Sequence, residues 1–260
     1  MFFTWLKRRR RLRLAGAPLP DSWQRVLAEN VRHYGYLSEA ERDRLHEHVK
    51  VLVAEKNWEG CGGLAMTDEI KVTIAGQAAI MLLAFDVGAL DHVLSILVYP
   101  TAYIAPGRQN VGSMVLVGED HRLGEAWQRG PVILSWADVL EDGRNPGHGH
   151  NLVWHELAHQ LDMLDHDVDG IPPLPTREAY RRWRQVMTAE FERLAAHAAR
   201  GRPTLLDEYG ATDPAEFFAV ATECFFDRPQ ELRERHSRLY DVLRQFYRQD
   251  PAQRVPLMAE

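Results

Sequence analysis

The pattern of apolar and polar positions divides the chain into a helical first third, a strand-rich middle and a helical last third. An amphipathic helical pattern begins at Asp21. Ser38, with Glu41 three residues later, is typical of a capping box and predicts a second helix. Thr67 is the expected N-cap of a third helix, and the Ala, Ile, Met and Leu content up to about Phe85 predicts that it is mostly buried.

The pattern changes between residues 92 and 117 to short β-branched and aromatic runs. These runs, VLSILVY, TAYIA and SMVLVG, are separated by proline and glycine, and we expect them to form antiparallel strands. A further short strand is predicted at residues 131–134, whereas the three glycines within residues 58–63 predict a turn. The order of elements therefore predicts an α+β fold with a small antiparallel sheet.

Helical periodicity returns in the last third of the chain, after a Gly-, Asn- and Pro-rich loop at residues 142–150. The predicted helices cover residues 151–164, 177–200, 214–226 and 230–248. An irregular segment, DHDVDGIPPLP, follows the first of these helices.

Composition indicates an ordinary globular protein, because 45% of the 260 residues are hydrophobic and 26% are charged. We expect a basic N-terminal tail at residues 1–20 and one domain at residues 21–260, with a possible internal division near residue 145. A formal net charge of -6 gives no overall attraction for nucleic acids, so direct nucleic-acid binding is not expected.

The two cysteines, Cys61 and Cys224, are too few for a disulfide framework and indicate a reducing compartment. The start, MFFTWLKRRRRLRLAG, places an apolar tip before a basic run, which is the reverse of a signal peptide. No apolar run approaches the ~20 residues that cross a bilayer. We therefore expect a cytoplasmic protein without a transmembrane segment. The basic run at residues 7–13 is interpreted as a frayed, solvated tail, with a membrane-surface or partner contact as the alternative.

The segment WHELAH at residues 154–159 places an HExxH motif inside a predicted helix. His155 and His159 then lie one turn apart on one face, where both can bind a tetrahedral zinc ion. Glu156 lies about a quarter turn away, where it can take a proton from the attacking water and pass it to the leaving amine. In a chain with 12 histidines a chance motif on an exposed helix is the alternative, but the helical context favours a metal site.

Two carboxylates compete for the place of a third protein ligand. Asp165 occupies the third-ligand position of an HExxHxxGxxH arrangement, but Asp162 stands where that arrangement has its glycine. The remote candidate is Glu216, at the start of a predicted helix. Asp213 as N-cap and Pro214 at the first helical position form a helix-start signature that by itself accounts for Glu216, so its role as a ligand stays open on these residues alone.

Further polar residues can assist such a site. Tyr209, in a glycine-containing loop seven residues before Glu216, can donate a hydrogen bond to a developing oxyanion, although simple packing is the alternative. Glu223 or Asp162 can orient a ligand histidine, or each can be a solvated charge. The other histidines near the motif are expected to be surface residues of loops: His148, His150 and His166.

Several segments together resemble the Mlc titration factor A family, also called DgsA anti-repressors, which are cytoplasmic bacterial zinc peptidases. The resemblance covers roughly residues 22–250. It rests on AEKNWEGCGGLAMTDEIKVTIAGQA, ILVYPTAYI, GEAWQRGPVILSW, VWHELAHQLDMLDHDVDGIPPLP and TLLDEYGATDPAEFFAVATECFFDRP. The arginine-rich start lies outside it.

The resemblance implies that His155, His159 and Glu216 ligate one zinc ion, that Glu156 is the general base and that Tyr209 assists from the facing loop. The spacing of the Tyr and Glu after HExxH is similar to that in the catalytic domain of anthrax lethal factor, which implies a gluzincin-like architecture.

The resemblance also implies aminopeptidase activity on small peptides and binding to a Mlc-like transcriptional repressor that controls sugar uptake. An aminopeptidase needs an acidic group for the α-amine of its substrate, and Glu223 is one candidate. The alternative function is a regulatory anti-repressor in which the zinc site is mainly structural and partner binding is the output.

Overall fold

A computed structural model describes residues 2–101 and 130–254, and the side chains from residue 5 onward within those ranges. The helices there are α1 (Phe2–Gly16), α2 (Asp21–Asn30), α3 (Glu39–Glu55), α4 (Asp68–Met81), α5 (Trp136–Arg144), α6 (Leu152–Asp162), α7 (Arg177–Ala198), α8 (Pro214–Asp227), α9 (Pro229–Arg235) and α10 (Ser237–Tyr247). The strands are β1 (Asn57–Gly60), β2 (Ser95–Tyr99) and β3 (Val132–Ser135). Short 3-10 turns lie at Arg32–Tyr36, Met163–Asp165, Glu208–Ala211 and Pro251–Gln253.

The three strands form a parallel sheet in the order β1-β2-β3, so the prediction of an antiparallel sheet is wrong. Ile96 of β2 pairs with Trp58 on one side and with Val132 on the other. The segment predicted as a turn at residues 58–63 begins with β1. The buried helix α4 lies between β1 and β2 in the chain, and such a crossover makes neighbouring strands run in the same direction. The runs TAYIA and SMVLVG lie largely or wholly outside the described residues.

Helix α4 is the central element, as its apolar composition predicts, and 11 of its 14 residues are buried. Thr67 caps it as expected, because its Oγ1 accepts a hydrogen bond from the Ile70 amide at 3.3 Å. Gly76 leaves room for the side chain of Leu27 from α2, which a Cβ at this position would overlap. Buried Gln77 donates to the Val139 carbonyl of α5 at 2.8 Å. Helix α4 therefore ties the N-terminal helices to the second half of the chain.

Residues 2–16 form a helix that packs on α3, so the expectation of a frayed tail is wrong for them, although most of the side chains described in this helix are exposed. Arg11 Nη2 lies 2.6 Å from Glu55 Oε2, and Lys7 Nζ lies 2.9 Å from Asp91 Oδ2. Lys50 Nζ donates to two carbonyls at the C-terminal end of α1 at 2.8 and 2.5 Å. No helix within the described ranges combines the length and apolar character that crossing a membrane requires.

An aromatic cluster joins the C-terminal helices. The rings of Trp183 and Phe218 lie 5.4 Å apart, and Phe225 stacks on Tyr247 at 5.6 Å. The single helix predicted for residues 230–248 is divided in two, because His236 has φ -136° and ψ 51° and leaves the helical conformation. Helix α8 contributes Phe218 and Phe225 to this cluster and also packs on α6, so the helix with the HExxH motif rests on the hydrophobic core.

Acid is expected to destabilise the fold through His33, which is buried and packs its ring edge-on against Trp154 with centroids 5.0 Å apart. Burial lowers the pKa of His33 to about 4, so the imidazole is neutral in the folded protein at pH 7. An unfolded histidine takes up a proton near pH ~6.5, and the free energy of unfolding therefore falls as the pH drops from about 6.5 to about 4.

Urea unfolding at a series of pH values, with a chelator present to remove any contribution from metal release, measures this slope. His33→Gln is expected to make the slope shallower by up to about 1.4 kcal/mol per pH unit, the contribution of one proton. His148→Gln, at an exposed position, serves as the control for the loss of an imidazole from the chain. An unaltered slope in His33→Gln would contradict the assignment.

Candidate metal centre

Helix α6 presents both histidines of the HExxH motif toward α8. Asn151 caps the helix, because its Oδ1 accepts a hydrogen bond from the Trp154 amide at 3.0 Å. His155 and His159 are 5% and 7% exposed, and their Nε2 atoms lie 3.3 Å apart. The helical spacing of the motif thus brings two imidazole nitrogens to one point, as the sequence predicts.

Glu216 reaches the same point from the first turn of α8. Asp213 caps this helix, and its Oδ1 accepts from the amides of Ala215 and Glu216 at 2.9 and 3.0 Å. Glu216 Oε2 lies 3.1 Å from His155 Nε2 and 3.5 Å from His159 Nε2. Glu216 therefore belongs to the capped first turn of α8 and also approaches both histidines. The cap fixes that turn, and the turn directs the carboxylate.

The three side chains fit a metal ion. Their ligand atoms, two imidazole nitrogens and one carboxylate oxygen, all lie within 4.8 Å of one another. Glu216 Oε2 is buried and has no hydrogen-bond partner, which is costly for a carboxylate oxygen unless a cation faces it. Asp165, the local alternative, is exposed in the turn after α6 and lies outside this group.

Carboxylates dominate the electrostatics of the cluster. Burial alone lowers the pKa of His155, but the close approach of the Glu216 carboxylate and the hydrogen bond to Glu223 outweigh it and raise that pKa to about 10. Burial raises the pKa of Glu216, but the close approach of the His155 and His159 imidazoles outweighs this effect and lowers it to about 2. A metal ligand must be a neutral imidazole, so a metal ion and a proton compete for this position.

Glu223 orients His155 from the opposite side of the ring. His155 Nδ1 donates to Glu223 Oε1 at 2.5 Å, which leaves the lone pair of Nε2 available to a metal ion. The other oxygen accepts from the Asn151 amide at 2.7 Å, and Asn151 Nδ2 donates to Gln77 Oε1 at 2.8 Å. Glu223 is only 2% exposed and both of its oxygens are engaged, so it has no oxygen left for a substrate amine.

Asp162 fixes the loop that follows α6. Asp162 is fully buried, and its Oδ2 accepts from the Gly170 amide at 2.8 Å. The Gly170 carbonyl accepts from Trp183 Nε1 at 2.9 Å. Gly170 has φ 75°, and a Cβ there would overlap the Pro214 carbonyl at the start of α8. This contact sets the position of the helix that carries Glu216. The signal for it in the sequence is the glycine within DHDVDGIPPLP, a position that lies outside the HExxH motif.

Tyr209 lies beside the cluster in the 3-10 turn at Glu208–Ala211. Its ring centroid is 6.1 Å from that of His155. Burial, followed by the charge of Glu216, raises the pKa of the Tyr209 phenol, which therefore stays protonated and able to donate at neutral pH. Asp207 Oδ1 accepts from the Tyr209 amide at 2.8 Å and holds the turn in place.

The flanking histidines differ from one another. His148 is exposed, and His166 ends the turn after α6 with φ 79°. His150 is not a simple surface histidine, because its Nδ1 lies 3.3 Å from Glu223 Oε2 and 3.7 Å from Asp142 Oδ2. Hydrogen bonding to Asp142 raises the pKa of His150 to about 9.

Comparison with known proteins agrees with this geometry. A family model described as "Glucose-regulated metallo-peptidase M90" matches residues 3–248. The chain belongs to this family. The M90 match includes the arginine-rich α1, which the resemblance seen in the motifs did not cover. A family of metallopeptidases implies a metal ion, and the cluster of two histidines and Glu216 can hold one.

Relatives of this M90 peptidase extend over most of its length. A protein of Synechocystis sp., named only as an uncharacterized protein, is 38% identical over 249 residues, which cover 95% of this chain and 90% of the relative. Proteins named Mlc titration factor A from Edwardsiella ictaluri and Serratia proteamaculans are 35% and 33% identical. Those alignments cover 84% and 90% of this chain and 84% and 88% of the relatives. The resemblance to the Mlc titration factor A family is confirmed.

The contact between Gly170 and Pro214 predicts that Gly170→Ala weakens metal binding as well as stability. The left-handed backbone alone costs ~1–2 kcal/mol for a residue other than glycine. The overlap with Pro214 adds to that cost and moves the start of α8, with Glu216, away from the histidines.

Gly201→Ala is the matched control, because Gly201 has φ 59° and a Cβ there meets nothing within 4 Å. It is expected to lose stability without losing metal affinity. Urea unfolding and competition with a chelating dye measure the two quantities. Equal metal affinities in the two variants would show that Gly170 does not position the third candidate ligand.

Proposed function

We propose that this chain is a zinc-dependent peptidase with aminopeptidase activity on small peptides. In this proposal His155, His159 and Glu216 hold one zinc ion, Glu156 is the general base and Tyr209 stabilises the oxyanion. One observation supports it above all others: a carboxylate from one helix approaches the Nε2 atoms of two histidines on another within 3.1 and 3.5 Å.

Zinc suits this donor set, since two imidazoles and one carboxylate form a common ligand set of catalytic zinc and leave a fourth tetrahedral position open. A zinc ion, when bound, supplies the Lewis acidity that activates water and polarises the scissile carbonyl. With HExxH on α6 and the third ligand on α8, we propose a gluzincin-like arrangement of the site.

Glu156 and Tyr209 would perform the proton transfer and the charge stabilisation. Burial raises the pKa of Glu156, while the nearby histidines oppose that effect. A carboxylate with a raised pKa is a better acceptor for the proton of the attacking water, and it can then deliver that proton to the leaving amine. Tyr209, which stays protonated, can donate a hydrogen bond to the oxygen on which negative charge develops.

In the proposed mechanism Glu223 positions a metal ligand and does not bind the substrate amine. Its oxygens are engaged by His155 and Asn151, so we assign it the orientation of the His155 ring. Such partners of ligand histidines commonly change metal affinity by ~10–100-fold when they are removed.

A second candidate function is a protein-binding anti-repressor in which the zinc site is mainly structural. Relatives at 33–35% identity carry the name Mlc titration factor A, which indicates binding to the Mlc repressor. We propose that a repressor of this type is a partner of this chain as well, and that both act in the cytoplasm. The two free cysteines, Cys61 and Cys224, are compatible with a reducing compartment.

Replacement of the general base separates catalysis from binding. Glu156→Gln keeps the shape of the side chain and the metal ligands, and we expect hydrolysis to fall by ~100-fold or more while zinc content is unchanged. Fluorogenic aminoacyl substrates measure the activity, and elemental analysis measures the zinc. Glu178→Gln, at an exposed position of α7, is the control and keeps full activity.

Undiminished turnover in Glu156→Gln would refute the proposed mechanism. A pull-down with a Mlc-type repressor distinguishes the two functions. If partner binding and its effect on gene expression survive in Glu156→Gln, the anti-repressor function does not depend on hydrolysis.

The third ligand is tested by a pair of alanine variants. Glu216→Ala removes the carboxylate that lies beside both histidines and is expected to lose stoichiometric zinc after dialysis. Asp165→Ala removes the exposed alternative and is expected to retain the ion. Elemental analysis measures the zinc content of both variants. Zinc that is retained by Glu216→Ala but lost by Asp165→Ala would show that Asp165, and not Glu216, is the third ligand.

A further inference from the structure

Positive charge is concentrated on the first helix. The whole chain contains 31 Lys and Arg against 37 Asp and Glu. Six of the basic residues lie in the 15 residues of α1, which contains no acidic residue. A net-negative protein therefore carries one strongly cationic helix.

Part of this charge attaches α1 to the domain. Lys7 pairs with Asp91 at 2.9 Å, and Arg11 pairs with Glu55 at 2.6 Å. Arg10 donates to a backbone carbonyl of α3 at 2.9 Å. Because these three residues have i, i+3 and i+4 spacing, they define the face of α1 that packs on the domain.

The remaining faces of α1 combine apolar and cationic side chains that are exposed. Trp5 is 53% exposed and Leu12 is 65% exposed, and the Arg9 guanidinium lies 5.4 Å from the centre of the Trp5 ring. The i, i+4 and i+7 spacing of these three residues places them on one stripe. Outside the face formed by Lys7, Arg10 and Arg11, the exposed large side chains are three apolar and three cationic ones: Trp5, Leu6 and Leu12 with Arg8, Arg9 and Arg13.

We propose that α1 docks the protein on the surface of a membrane that contains anionic phospholipids. Arginines beside such a surface interact with lipid phosphates, and each contributes about a fivefold increase in binding. A tryptophan prefers the level of the lipid headgroups, where its ring is partly in an apolar and partly in a wet environment. Helix α1 lies along the surface in this arrangement and does not cross the bilayer.

The exposed apolar side chains favour a lipid surface over a nucleic acid. A nucleic acid would neutralise Arg8, Arg9 and Arg13 through its phosphates but would leave Leu6 and Leu12 in water. A headgroup region accommodates both kinds of side chain. The acidic remainder of the chain is repelled by an anionic surface, so the charge distribution also orients the molecule with α1 toward the lipid.

Vesicle co-sedimentation of the full, metal-loaded chain tests the proposal. The wild type is expected to bind vesicles of equal parts phosphatidylcholine and phosphatidylglycerol, and to bind vesicles of phosphatidylcholine alone far less. Replacing the three outward arginines together, R8Q/R9Q/R13Q, is expected to weaken binding by about 100-fold and leaves the contacts of Lys7, Arg10 and Arg11 in place.

A matched control removes the same charge elsewhere. R181Q/R184Q/R202Q changes three other exposed arginines and is expected to keep the wild-type affinity. Equal losses in the two triple variants would overturn the proposal, because the effect would then follow net charge and not α1. Binding to single-stranded RNA without binding to the anionic vesicles would also overturn it.

Fluorescence provides a second measurement of the same contact. The chain contains seven tryptophans, and anionic vesicles are expected to shift the wild-type emission to shorter wavelength through Trp5. Trp5→Phe is expected to remove that shift and to keep most of the vesicle binding. A shift that persists in Trp5→Phe would place the contact elsewhere and overturn the proposal. Circular dichroism verifies that each variant is folded.

Discussion

One imidazole held between two carboxylates is the interaction on which the site depends. Glu216 and Glu223 lie two helical turns apart on α8, and they contact the Nε2 and the Nδ1 side of His155 respectively. The arrangement requires α6 and α8 to pack in one register, since a shift of one turn would separate both contacts. Burying several carboxylates together is unfavourable unless cationic groups or hydrogen bonds compensate them. The packing of α6 on α8 therefore buries carboxylates at one point, and that point needs a cation or a proton to compensate their charge.

Three sets of contacts hold that register. On one side, buried Gln77 of α4 binds Asn151, whose own amide donates to Glu223. On another, the loop after α6 is fixed at Gly170, against the first turn of α8. Beneath the site, the rings of Trp154 and Phe226 join the two helices with centroids 5.3 Å apart. Because each set belongs to a different part of the chain, the ligand geometry depends on the fold as a whole.

The predictions that were confirmed rest on residues that are close together in sequence. The features that were not predicted depend on contacts between residues far apart in the chain. The capping box at Ser38 and the N-caps of α4 and α8 follow from residues close together in sequence, and each segment that carries the family resemblance is itself a short local motif. The parallel sheet was missed because a strand pattern does not reveal the direction of its partners. The contact of Gly170 with α8 and the packing of α1 on the domain were not predicted, because they join residues far apart in the chain. The assignment of individual catalytic residues is still a prediction.

Helix α8 has a consequence for how this protein can change over time. From Ala215 to Asp227, every residue except Glu216 is buried. The same helix therefore fills the hydrophobic core and carries the candidate ligand, and few substitutions satisfy both demands at once. Variation that alters substrate preference has to arise in the loops around the centre. The sequence of α8 is therefore expected to change more slowly than the sequences of those loops among proteins that share a common ancestor.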